Sequence, residues 1–196
     1  RQVAIGLPTI LDEEATVEWV AETGVWQPVL TAEPELWLDV ALVFDTGPSM
    51  CLWQRFGADL HRLLARYGEF RDVRIWYLRH QSDQVQLTSR RGVPRRPSEL
   101  LTGDRRRLIV IVSDCVSPAW RNGQMRDLIS VWSAKLPTVI FQVFPERLWS
   151  RTALGRSLGV ELQAKQAGLP SDQLRPTARS VWDETRVQES IKQPLV

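Results

Sequence analysis

The chain has 196 residues, 43% hydrophobic and 24% charged, with 25 Lys and Arg against 23 Asp and Glu. That length and balance suit one globular domain with a single sizeable core, and the near-neutral charge argues against a broad phosphate-binding footprint. No run approaches the roughly 18 apolar residues of a membrane span and no signal peptide is visible, so no membrane partner is expected and the expected location is cytoplasmic.

The basic residues are almost all Arg, with Lys only at 135, 165 and 192, and there are nine Trp. A surface rich in Arg and Trp suits contact with a protein or an anion, although codon bias alone also raises Arg content. Cys51 and Cys115 make no CxxC and no metal-type spacing, so both are expected as reduced, buried thiols. The chain begins at Arg1 and ends on an apolar PLV, the expectation being a piece of a longer protein.

In chain order, LDEEATVEWVAETG predicts a helix with acids in its first turn, an apolar face of Leu11, Ala15, Val17, Val20 and Ala21, and Gly24 closing it. VWQPVLTAEPE is extended, a connector or an edge strand. Residues 1–36 are expected to form an N-terminal helix and connector packed on the domain of residues 37–196. In LWLDVALVFD, Val40 to Phe44 are apolar without alternation, the mark of a strand buried on both faces. SMCLWQRFGADLHRLLARYG predicts an amphipathic helix with Leu52, Phe56, Leu60, Leu63 and Leu64 inward and Gly68 at its end. DVRIWYLRH is a second strand. The following stretch through Arg107 is the least regular, with Ser98 expected to cap a short helix at PSELL. RLIVIVSDC repeats the buried-strand pattern, VSPAWRNGQMRDLISVWSAKL is loop then helix, and PTVIFQVFP is a further buried strand. ERLWSRTALG is a loop or short helix, and residues 160–190 are polar and loop-rich. Strand and helix alternate, which predicts an α/β domain with a mostly parallel sheet flanked by helices.

Two of the buried strands end in an acid, Asp45 and Asp114. Ligands of open α/β sheets gather at the carboxyl ends of the strands. If the strands are neighbours, two close carboxylates call for a cation between them, with Ser49 adding a neutral oxygen at the start of the helix. The plainer reading is that each Asp caps the turn after its strand.

DTGPSM after one buried strand and IVIVSDC further on resemble the von Willebrand factor A (vWA) domain, a doubly wound, Rossmann-like α/β fold. The resemblance implies a metal-ion-dependent adhesion site, with Asp45 as the leading acid, Ser49 as the last Ser and Asp114 as the third-loop acid, together holding Mg²⁺. Gly47 stands where that motif has its middle Ser, Thr88 and Thr102 are candidates for the second-loop Thr, and Cys115 follows Asp114 where Gly is common. Over residues 11–155 the chain is similar to a divergent A-like module at the start of large multidomain bacterial proteins. There it is joined to ATPase, peptidase or repeat modules of signalling or defence-type conflict systems, which implies a sensor or scaffold role.

His80 is expected to be a surface or loop histidine, because no nucleophile and orienter accompany it, and His61 to lie on the solvent or boundary side of its helix. The Arg clusters at 90–96 and 105–107 lack interleaved aromatics, so nucleic acid is not the expected partner. CVSPAWRNG and PERLWSRTALG place Trp120 with Arg121, and Trp149 with Arg147 and Arg151, after strands. Such pairs either form a binding hot spot or plug the core with Trp while Arg meets local acids. The expectation is a non-catalytic interaction module that grips a protein partner, or another domain of its own polypeptide, at the strand-end rim. The alternative is a Mg²⁺-dependent phosphoryl-transfer or phosphodiesterase enzyme using Asp45 and Asp114. Against it, no Lys or His is expected in a catalytic place, and no glycine-rich phosphate loop or further acid cluster is present.

Overall fold

The structure, a computed structural model, describes residues 2–4, 7–32, 34–81, 84–101, 106–155, 160–164 and 168–178. Twelve strands and four α-helices occur in it. They are β1 (Gln2–Ala4), β2 (Ile10–Leu11), α1 (Glu13–Thr23), β3 (Leu30–Thr31), β4 (Pro34–Leu36), β5 (Asp39–Asp45), α2 (Gln54–Tyr67), β6 (Asp72–Gln81), β7 (Gln84–Ser89) and β8 (Pro94–Arg95). After these come β9 (Arg107–Ser113), α3 (Pro118–Arg121), α4 (Gln124–Ser133), β10 (Thr138–Gln142), β11 (Val160–Gln163) and β12 (Arg175–Ala178). Six strands form one mixed sheet in the order β10-β9-β5-β6-β7-β8. The first four of that order run parallel; β7 pairs antiparallel with β6, and β8 antiparallel with β7.

The continuous apolar run places β5 in the middle of the parallel strands. It pairs with β6 from Asp39↔Asp72 to Asp45↔Leu78, and with β9 from Asp39↔Arg107 to Phe44↔Val112. Alternate residues of β5 then enter two cores. Ala41 and Val43 face Ile109, Ile111, Met125 and Trp132, with Leu128 and Ile129 of α4 packed against them. Leu42 and Phe44 face Met50 and Val112, with Phe56, Leu60 and Leu64 of α2 packed against them. Helices therefore cover both sheet faces, and residues 40–44 have no polar side to show.

Several expectations change in detail. The inward face of α2 is Phe56, Leu60 and Leu64, with Trp53 before it, whereas Leu52 and Leu63 are exposed. Leu52 falls in a 3₁₀ segment, Pro48–Trp53, whose three-residue turn points it away from the sheet. α1 forms between its Asp12 cap and left-handed Gly24, but Thr16 is its one buried residue and Val17 is exposed. Residues 84–89, expected to be irregular, make β7. Its polar Gln84, Gln86 and Thr88 alternate with Val85 and Leu87, and Val85 and Leu87 turn to the α4 side. β10, expected to be buried, lies at the end of the strand order among the described residues, with Val139 and Phe141 exposed. Ser98 sits inside the 3₁₀ segment Pro97–Leu101 and does not cap it; the Glu99 carboxylate accepts from the Arg96 amide instead. Cys51 is exposed, not buried. No helix among the described residues is long and apolar enough to cross a membrane.

Candidate functional site

Because β5 and β9 run side by side in the same direction, the acids that end them reach one edge of the sheet. Asp45 has no exposed surface. Its Oδ1 accepts from the Gly47 amide at 2.8 Å and meets His80 Nε2 at 2.6 Å. Its Oδ2 accepts from the Ser113 hydroxyl at 2.6 Å and from the Trp120 indole at 2.9 Å. Two oxygens offer about four lone-pair positions, so these four groups fill the carboxylate. Burial pushes the carboxyl upward, and the bonds from His80, Ser113, Trp120 and Gly47 more than reverse this, leaving it below the ordinary carboxylate range.

The backbone explains each donor. The pairing of Phe44 with Val112 puts Ser113 next to Asp45, so the hydroxyl, and not the second acid, faces the first. The pairing of Asp45 with Leu78 leaves His80 two residues beyond on the same strand and the same face. His80 is therefore a half-buried partner of the strand-end acid, which corrects its expected place on the surface. Trp120 comes from α3, which starts at Pro118 immediately after the loop from β9.

Asp114 is one step further out and also buried. Its Oδ1 accepts from the Val116 amide at 3.1 Å, the turn-capping role of the plainer reading. Its Oδ2 and the buried Ser117 hydroxyl have no hydrogen-bond partner among the described residues. Cys115, between them, has a left-handed φ of 55°, where a β-carbon is strained and Gly would be relaxed. Burial pushes its thiol up to about 12, so it stays protonated.

Gly47, where the expected motif has a Ser, is closely surrounded. A β-carbon added there would lie 3.3 Å from Ser117 Cβ, 3.4 Å from Asp45 Oδ1 and 3.7 Å from His80 Nε2. Ser117 leaves a β-carbon there little room, while His80 lies at an ordinary contact distance. Ser49 is exposed in the 3₁₀ segment. Of the two threonines considered, Thr88 is buried with its hydroxyl directed to the Tyr77 carbonyl, and Thr102 lies outside the described residues. Among the described residues no three His, Cys, Asp or Glu side chains gather as a metal-ligand group.

The loops beyond these strands are tied together. Arg121 donates to the carbonyls of Val116 and Arg151, Ala153 donates to that of Cys115, and Gln142 donates to that of Asp114. Trp149 is half-buried and donates to the Phe144 carbonyl, while Arg147 and Arg151 are exposed. Trp120 and Trp149 thus engage their indole N–H groups inside the fold, and Arg121 meets carbonyls in place of the expected acids. Beside them a hollow of about 620 Å³ is lined by Trp120, Arg121, Ile129, Ile140 and Leu154 among others. His80 was the residue missed from the sequence. Its signal was its position two residues past the register partner of Asp45, which needs the strand pairing to be known. No protein-family model, no curated protein and no solved structure matches this chain.

Proposed function

We propose that the chain is a non-catalytic protein-interaction or sensor module, a doubly wound vWA-like domain with a degenerate adhesion site. It would act in the cytoplasm as part of a larger bacterial signalling or defence-type protein. The observation that carries this reading is the saturation of Asp45 by four protein donors. As arranged, the leading acid has no lone pair to offer Mg²⁺, since Gly47, His80, Ser113 and Trp120 hold it by hydrogen bonds. The residues present therefore do not fit a full metal site. The remaining oxygens, Asp114 Oδ2 and Ser117 Oγ, are too few to hold Mg²⁺ without water or a partner's carboxylate.

Catalysis finds little support in the same groups. The Cys115 thiol is protonated and the Ser113 proton is engaged by Asp45. Binding finds more. Exposed Arg121, at the end of α3, lines a partly apolar hollow. Arg147 and Arg151 are exposed in the 3₁₀ segment Glu146–Arg151, whose Arg151 carbonyl Arg121 meets. Arginine beside apolar surface suits a partner with a carboxylate next to an apolar side chain.

Hydrogen exchange of the isolated chain, compared with the full-length protein and its co-purifying partners, tests the reading. Slower exchange is expected at residues 116–121 and 146–155 in the larger assembly, lost with Arg121→Glu/Arg151→Glu. Unchanged exchange there, or Mg²⁺-dependent turnover of nucleotides abolished by Asp114→Ala, would reject it in favour of no contact or of the enzyme.

A further inference from the structure

On the α2 face of the sheet, reaching up to Thr46, Gly47 and Pro48 of the loop after β5, α2 stands off from β6 and leaves a second concavity. Its inner part holds about 390 Å³ and is lined by Phe44, Met50, Gly57, Ala58, Ile75 and Tyr77, among others. The hollow exists because α2 presents Gly57 and Ala58 where it comes nearest the sheet. The Phe44 ring occupies the Gly57 side, since an added β-carbon would lie 2.3 Å from it. No large side chain of the helix fills what remains. The outer part, about 460 Å³, shares Thr46, Gln54 and Tyr77 with the inner one and is bounded by Arg79, His80 and Arg90.

The two parts differ in chemistry. The inner one is apolar and aromatic, and its volume falls in the range of small-molecule sites. The outer one is basic. No Asp or Glu lines either part, and neither Arg79 nor Arg90 has an acidic partner among the described residues. Two arginine side chains at the mouth of an apolar slot ask for a planar anion whose body enters the slot. Phe44, Tyr77 and the pliable Met50 favour an aromatic body.

We propose that this concavity is a ligand site for a small aryl anion, with the ring system between α2 and β6 and the carboxylate, sulfonate or phosphate on Arg79 and Arg90. The proposal does not rest on the interaction reading of the rim. It would add an input to it, since His80 borders the outer part and also bonds Asp45.

The test uses the whole chain and two fluorescent probes that share an aromatic body, anionic 1-anilinonaphthalene-8-sulfonate and neutral N-phenyl-1-naphthylamine. The anion should bind saturably. Arg79→Glu/Arg90→Glu should weaken it by about tenfold or more while changing the neutral probe less than about twofold. Ala58→Phe, at an exposed helix position facing the slot, should abolish binding of both with an unchanged melting curve. Anion affinity indifferent to the charge reversal, or either probe still bound by Ala58→Phe, would overturn the proposal. The same titrations on Arg121→Glu separate this site from the rim: the aryl anion should bind that variant normally.

Discussion

Asp45 is the residue with the most at stake. Asp45→Asn keeps the shape but replaces one acceptor oxygen with an amide NH₂. Whichever way the amide turns, it points at an N–H that cannot reverse, that of Gly47 or that of Trp120. His80 and Ser113 can switch to accepting, so one clash remains, and a loss of about 2–4 kcal/mol is expected in urea unfolding. Trp120→Phe removes one donor to a buried charge and should cost about 1.5–3 kcal/mol in the same measurement. Acid titration gives a third check. The hydrogen bond from Arg71, with opposition from burial, lowers the Asp39 carboxyl, and Asp45 is lowered as well. A carboxyl with a lowered folded value contributes stability that is complete above its ordinary value of 3.8 and is lost as pH falls through the folded one. Stability should fall below about pH 4, less steeply in Asp45→Asn.

At the scale of elements, Gly57 decides how closely α2 approaches the sheet. Gly57→Ala would raise helix propensity but drive a β-carbon into the Phe44 ring, and a net loss of about 1–3 kcal/mol is expected from thermal melting. A gain in stability would show that the helix can slide outward freely. Strands β5 and β9 were legible in the sequence because unbroken apolar runs admit few other structures, and β6 from its shorter run Ile75–Leu78 despite polar breaks at Asp72 and Arg74. β7 was not, since its inward pair, Val85 and Leu87, is set among Gln and Thr that face solvent or another strand. β10 misled for the opposite reason: Val139 and Phe141 are apolar yet exposed, and composition alone does not say which strand ends a sheet. α1 has apolar residues at helical spacing, but among the described residues no large core receives them.

For the molecule as a whole, Asp45 and Asp114 were correctly expected at one edge, because parallel neighbours must deliver their ends together. What surrounds Asp45 was hidden, since Ser113, His80 and Trp120 come from positions whose proximity depends on register. Millimolar Mg²⁺ should therefore raise the melting temperature by less than about 1 °C in the native chain, well short of the several degrees that tight site binding gives. A shift of several degrees, abolished by Asp114→Ala, would restore the cation to the site. The N-terminal segment gives another check. The described hydrogen bonds of residues 9–31 join that segment to itself, and Leu7, Val17, Val25 and Trp26 are more than half exposed. Deleting residues 1–36 should cost the remaining domain less than about 1 kcal/mol, or about 2–4 °C. Loss of cooperative melting would show that the segment is part of the core unit.

The four groups around Asp45 come from 2, 35, 68 and 75 positions further along the chain. Closing that arrangement demands that three strands have already found their places and that the loop after the last has folded back. It can only be a late event on the folding path, since distant segments pay loop-closure entropy before they gain contacts. The indole proton signal of Trp120, bonded to Asp45, should accordingly emerge in the slowest refolding phase, a built-in indicator that assembly is finished.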